Sequence, residues 1–175
     1  MSDEGRILIF TGDGKGKTTA ALGMAVRAHG HGIPVAVIQF VKSDVQTGEF
    51  AVLSRLPGVQ IFVTGRGFVP PETDPRFAEH RQAAEEGLRI ASEAACSGRY
   101  GLVILDEGCY AIARNLIAEA FVLRLLKEKA PGVVIVLTGR GATEGLIAAA
   151  DTVSDIHCIK HGFDIGLKAT KGVEF

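Results

Sequence analysis

One run constrains this chain more than any other: Thr11-Gly12-Asp13-Gly14-Lys15-Gly16-Lys17-Thr18-Thr19. It follows a short apolar segment, Ile7 to Phe10, of the kind that forms a buried strand. It opens a segment with helical spacing, Lys17 to His29. Glycines let the backbone fold tightly, with its N–H groups turned inward toward an anion. A helix N-terminus adds partial positive charge, and Lys17 adds a full one. The hydroxyl of Thr18 is placed to ligate a magnesium ion that bridges phosphates. Strand, loop and helix together therefore predict a phosphate-binding loop in an α/β fold. The spacing departs from the usual pattern, which has about four residues between its first glycine and the Gly-Lys pair. Here Gly12 leaves three, and Thr11 stands at the expected glycine position.

The rest of the chain alternates in the same way. Apolar runs at Val35 to Phe40, Val59 to Val63, Leu102 to Leu105, Val133 to Leu137 and Val153 to Ile159 predict strands. Between them, Phe50 to Leu56 and Thr143 to Ala150 predict short helices. Asp74-Pro75 opens the clearest helix, with Asp74 as cap and Pro75 at the first position, closed by Gly98. Asn115 to Lys129 predicts another, stopped by Pro131-Gly132. Gly65 to Thr73, with two glycines and two prolines, is a loop. Continuous apolar strands separated by helices imply a parallel sheet covered on both faces. The expected architecture is a three-layer, P-loop NTPase-like (RecA-like) α/β fold with a mostly parallel central sheet. No linker divides the chain, so residues 1–175 are expected to form a single domain.

Composition excludes several classes of partner. The formal net charge is −1, so bulk electrostatics favours neither nucleic acid nor an anionic membrane. No apolar run approaches the roughly 20 residues of a membrane span. Met1 to Arg6 is acidic and polar, unlike a secretory or transit signal. Cys96, Cys109 and Cys158 are odd in number and lack a C-x-x-C pair, which predicts free thiols. A cytoplasmic location is expected.

A second element supports the loop. Leu102-Val103-Ile104-Leu105 ends in Asp106-Glu107, a buried strand delivering two carboxylates at its C-terminal edge, as a metal–nucleotide site requires. No Ser-His-Asp or Cys-His pairing is suggested. His157, Cys158 and His161 imitate a metal cluster, but nothing fixes that geometry, and they read as structural or surface residues.

With these elements assembled, the chain resembles the P-loop type ATP:corrinoid adenosyltransferases, which adenosylate cob(I)yrinic acid a,c-diamide and cobalamin. The resemblance runs from about Arg6 to Phe175. It rests on TGDGKGKTTAALG with its Thr-for-Gly departure, VIQFVK at Val37 to Lys42, and TGE at Thr47 to Glu49. It continues through LPGV at Leu56 to Val59, GRGF at Gly65 to Phe68 and SGRYGLVILDE at Ser97 to Glu107. VLTGRGA at Val136 to Ala142 and the tail KHGFDIGLKATKGVEF from Lys160 complete it. At two positions the chain departs: Pro70 stands where many members have tryptophan, and Cys109 where the family often has asparagine. The chain has no tryptophan at all.

The resemblance implies transfer of the 5′-deoxyadenosyl group from ATP to Co(I) of a reduced corrinoid, with triphosphate released. Gly12, Asp13, Gly14, Lys15, Gly16, Lys17, Thr18 and Thr19 would bind the triphosphate, with nucleotide polarity reversed relative to ordinary P-loop ATPases. Arg27 would lie near the nucleotide. Thr18 and Glu107 would hold Mg²⁺. Phe68 would press on the corrinoid face and help remove its lower axial ligand, making Co(II) easier to reduce. Arg140 would line the corrinoid side of the site. Phe68 and Lys17 would carry the catalytic roles. A homodimer and a flavoprotein electron donor are also implied. Two alternatives stay open at this point: a P-loop ATPase or kinase on the same scaffold, and a non-catalytic nucleotide or corrinoid carrier.

Overall fold

A computed structural model of the chain describes residues 5–173. The acidic start at Met1 to Glu4, and Glu174 and Phe175 at the end of the tail motif, lie outside the described residues. The elements in chain order are β1 (Ile7–Thr11), α1 (Lys17–Gly30), β2 (Val35–Gln39), α2 (Gly48–Leu53), β3 (Val59–Val63) and α3 (Phe77–Cys96). They continue with β4 (Leu102–Asp106), α4 (Gly108–Ala113), α5 (Glu119–Glu128), β5 (Val134–Thr138), α6 (Glu144–Ala149) and β6 (Thr152–Asp155). A 3₁₀ turn covers Gly162–Ile165.

The strands form one six-stranded sheet in the order β3-β2-β4-β5-β1-β6, with every pairing parallel. The period-2 alternation of a strand sorts its side chains between two cores. Ile9, Ala36, Ile38, Val103, Leu105, Ile135 and Leu137 face a core closed by α3, α4, α5 and α6. Val35, Val37, Leu102, Ile104 and Val136 face the other, closed by Ala21, Leu22 and Ala25 of α1 and Leu53 of α2. Each fully buried branched side chain contributes about 1.5–3 kcal/mol. Both faces of the central strands are therefore committed, and the arrangement is a three-layer α/β fold. What remains for a ligand is the C-terminal edge of the strands, where parallel α/β sheets place their sites.

Element boundaries differ from the sequence expectation where a polar contact intervenes. The last strand was expected over Val153 to Ile159 but leaves the sheet after Asp155. Ile156 turns instead to the phosphate loop, donating its N–H to the Thr11 carbonyl at 2.9 Å and accepting from Gly14 N at 2.6 Å. The Asp74 carboxylate does accept from Arg76 N at 2.8 Å, as a cap would, yet regular helix begins only at Phe77. The Arg76 guanidinium also engages Asp74, and together these contacts hold the Asp74 carboxyl at a pKa of about 2. The helix expected from Asn115 begins at Glu119. Asn115 has φ 55 and terminates α4, a short helix that the sequence reading did not separate.

Candidate functional site

The phosphate loop closes over its own lysine. Lys17 is only 8% exposed, and its Nζ donates to the Gly14 carbonyl at 2.6 Å. Gly16 caps α1 without any side-chain hydrogen bond, so the first-turn N–H groups are left for a ligand. Gly12 is required by packing. It has φ 95, and a Cβ there would lie 2.1 Å from Asp155 Oδ1 and 2.5 Å from the Ile156 carbonyl.

Asp106 is the hub of the strand edge. It is fully buried at the end of β4. Its Oδ1 accepts from the Thr18 hydroxyl at 2.7 Å and from the Thr138 hydroxyl at 2.8 Å. Its Oδ2 accepts from Gln39 Nε2 at 3.3 Å and lies 3.5 Å from Lys42 Nζ. One carboxylate thus joins the phosphate loop to the ends of β2 and β5. Lys42 also pairs with Glu49 at 3.1 Å. Burial pushes the Lys42 ammonium down, but Asp106 and Glu49 together outweigh it and raise its pKa above the ordinary lysine value.

Glu107 is the neighbouring acid, with a different environment. Its backbone is left-handed, φ 62, and its N–H donates to Thr138 Oγ1 at 2.9 Å. Its side chain lines the cavity, and among the described residues its carboxylate has no hydrogen-bond or ion-pair partner. Burial, and then the adjacent Asp106 charge, raise its pKa above the ordinary carboxylate value.

These groups surround a cavity of about 950 Å³. Its wall comprises Asp13 to Thr19, Lys42, Glu49, Glu107, Tyr110, Arg140 and His161, with Val41 and Val52 among its apolar members. A volume of this size, with a cationic floor and acids at one edge, suits a nucleoside triphosphate.

A sequence model of the ATP:corrinoid adenosyltransferase family, BtuR/CobO/CobP, matches residues 3–175. The chain belongs to the ATP:corrinoid adenosyltransferase family. A corrinoid adenosyltransferase of Pseudomonas aeruginosa is 40% identical over 174 residues, covering 99% of this chain and 85% of its own. One from Sinorhizobium sp is 42% identical, covering 99% and 81%. One from Escherichia coli K12 is 37% identical, covering 100% and 88%.

Within this adenosyltransferase, the residues expected from sequence divide into two groups. Asp13, Gly14, Lys15, Gly16, Lys17, Thr18, Thr19, Glu107 and Arg140 all line the cavity. Arg140 also lies 3.5 Å from Asp13, an exposed pair that adds little stability. Gly12 sits behind the loop against Ile156. Arg27 and Phe68 do not line the cavity. Arg27 is on the exposed face of α1, and Phe68 is 88% exposed on the loop after β3. The structure adds Lys42 and Tyr110 to the cavity wall, and Thr138 behind it as a partner of Asp106, the acid already visible in the sequence. It also adds His161, which had read as structural or surface. The signal for Lys42 and Thr138 was their place just after or at the end of an apolar strand, where parallel strands converge on one edge.

Among the described residues, no helix is long and apolar enough to cross a membrane.

Proposed function

We propose that this protein transfers the 5′-deoxyadenosyl group of ATP to the Co(I) centre of a reduced corrinoid, releasing triphosphate, in adenosylcobalamin biosynthesis or corrinoid salvage. The observation that carries this reading is family membership across residues 3–175, combined with a phosphate loop that forms one wall of the cavity. The Co(I) electron pair of the substrate attacks C5′ of ATP. The Co–C bond forms, the C5′–O bond breaks, and its electrons leave on the triphosphate. No proton is transferred, so the protein needs no general base. Its task is to hold C5′ in line with cobalt and to stabilise the negative charge that grows on the leaving group. Lys17 and the loop N–H groups of Lys15 to Thr19 supply that stabilisation, with Arg27, on the exposed face of α1 next to the wall residue Val26, assigned to the nucleotide by the family resemblance. Arg140 and Phe68 are assigned to the corrinoid.

Magnesium belongs to the same proposal, held by Thr18 Oγ1 and the Glu107 carboxylate. The residues fit such an ion. The Thr18 hydroxyl proton is spent on Asp106, which leaves its lone pairs for a cation. Glu107 supplies a second oxygen on the same cavity wall. Magnesium sites of this type use few protein ligands and complete their shell with water and phosphate. When bound, the ion neutralises charge on the phosphate oxygens. A homodimer, a flavoprotein electron donor and a cytoplasmic location complete the reading, supported by the family resemblance.

The test supplies ATP and a chemically reduced corrinoid. A light-sensitive Co–C product formed with one equivalent of triphosphate is the expected outcome. Release of orthophosphate without triphosphate would refute the assignment.

A further inference from the structure

The loop between β3 and α3 carries Phe68 and is fastened in a particular way. Pro70 and Pro71 have no N–H, so at these two positions the loop cannot be tied down by backbone donors. Its ties there run through a carbonyl and side chains. Upstream, Gly67 N donates to the Val41 carbonyl at 2.7 Å. Downstream, the Pro70 carbonyl accepts from Arg114 Nη2 at 2.9 Å, and the Glu72 carboxylate accepts from Asn115 Nδ2 at 2.7 Å. Between these ties Val69 and Pro70 are buried, while the Phe68 ring stands out into solvent. An exposed aromatic ring on a loop fixed on both sides is a presented group.

Both fastenings lead back to the cavity. Val41 is in its wall. The other arm of Arg114 donates from Nη1 to the Tyr110 hydroxyl at 3.0 Å, and Tyr110 is also in the wall. The planar guanidinium makes both bonds at once in fixed directions, which a lysine ammonium cannot reproduce.

We propose that Arg114 is a positioning residue that couples the nucleotide cavity to the Phe68 loop. By joining the Tyr110 hydroxyl to the Pro70 carbonyl, it sets where the Phe68 ring stands relative to bound nucleotide. The inference rests on the assignment of Phe68 to the corrinoid. It gives Pro70 a local role: its carbonyl receives the link.

The test uses full-length protein with Arg114→Met, Arg114→Lys, Tyr110→Phe, Phe68→Ala and the Arg114→Met/Phe68→Ala double variant. Three quantities are read: the dissociation constant of Mg–ATP alone, the corrinoid KM and kcat from Co(II) and from pre-formed Co(I), and the electron paramagnetic resonance signal of bound Co(II) that reports loss of its lower axial ligand. Arg114→Met is expected to impair Co(II) corrinoid use by about tenfold, and Arg114→Lys and Tyr110→Phe by about threefold. Mg–ATP affinity of Arg114→Met should stay within about twofold, and Phe68→Ala should add no more than about twofold on the Arg114→Met background. Unchanged corrinoid parameters in Arg114→Met, or full additivity with Phe68→Ala, overturn the proposal. If Phe68→Ala is impaired while Arg114→Met is not, only the Arg114 role falls. If Phe68→Ala matches the parent, the Phe68 assignment and this proposal fall together. Should Arg114→Met fail to fold, Tyr110→Phe decides, since it cuts the same link by removing one hydroxyl.

Discussion

Asp106 and Glu107 are adjacent acids at one strand end, and the structure predicts opposite responses to removal of their charge. In Asp106→Asn, one amide atom stays an oxygen and still accepts from Thr18 and Thr138. The other becomes an NH₂ group facing Gln39 Nε2 at 3.3 Å and Lys42 Nζ at 3.5 Å. Donor then meets donor in a fully buried position. One hydrogen bond to a charged group is lost, worth about 1.5–3 kcal/mol. The Lys42 pair is lost too, but Lys42 is 30% exposed and keeps Glu49, so this adds only about 1 kcal/mol. The sum is about 2.5–4 kcal/mol, or a fall of about 5–16 °C in Tm for a chain of this length.

Glu107→Gln removes a charge that the fold disfavours. The Glu107 pKa is raised above its ordinary 4.5 by burial and by Asp106. A raised folded-state pKa means that the protonated form is the stabilised one. That stabilisation is present below the unfolded pKa and is lost as pH rises through the folded value. At pH 7 the ionised carboxylate is therefore a net cost, and glutamine removes it. Glu107→Gln should melt at or above the parent in metal-free buffer, with the gain vanishing near pH 4. Its transfer activity should fall by about a hundredfold, because the anionic magnesium ligand becomes a neutral amide oxygen. The assay is thermal unfolding by circular dichroism, because the chain has no tryptophan to report by fluorescence. A Glu107→Gln variant that loses as much Tm as Asp106→Asn, or an Asp106→Asn variant that melts like the parent, would refute the division of roles.

Four other outcomes follow from the same geometry. Lys17→Ala removes the buried cation of the loop, so Mg–ATP binding by calorimetry should weaken at least tenfold and transfer should be lost; near-normal activity would contradict the loop assignment. Phe68→Ala should impair use of Co(II) corrinoid more than pre-formed Co(I), and equal effects would remove its ligand-displacing role. Gly12→Ala forces a Cβ against Asp155 and Ile156 in a left-handed backbone, so stability should drop by about 2 kcal/mol or more, with faster amide exchange at 155–158. Burial, followed by the Glu107 charge, raises the Cys109 thiol to about 12, so iodoacetamide at pH 8 should modify exposed Cys96 and Cys158 and spare Cys109, as mass spectrometry would report.

The centre of the sheet was legible because strands β2, β4 and β5 are buried on both faces. Runs such as Val35 to Phe40 and Leu102 to Leu105 carry apolar residues at consecutive positions, and only a strand between two helical layers uses them all. The glycine loop was legible for a different reason: its chemistry is local in sequence, and strand, turn and helix cap follow one another within a dozen residues. Short elements set by long-range contacts were not. Helix α4 begins directly after left-handed Glu107 and stops short of left-handed Asn115, and a glutamate does not announce such a backbone. The early end of β6 depends on Ile156 finding the loop backbone at Thr11 and Gly14, far away in the chain.

The site was half legible on the same principle. Asp106-Glu107 was visible as an acidic strand end, but sequence alone does not say which acid turns inward. That is decided by register: Asp106 pairs with Gln39 across β2, and Thr138 ends the strand on its other side. Gln39 at the end of β2, Lys42 just after it and Thr138 at the end of β5, together with Thr18 from α1, leave Asp106 no face for a ligand. Glu107 is pushed by its left-handed backbone to the cavity wall instead. Lys42, Thr138 and Arg114 matter only because strands β2, β4 and β5 are neighbours, and strand order is not written in any local window. The contribution of fold to chemistry here is the sorting of two identical charges into one that holds the strand ends together and one that remains available to a ligand.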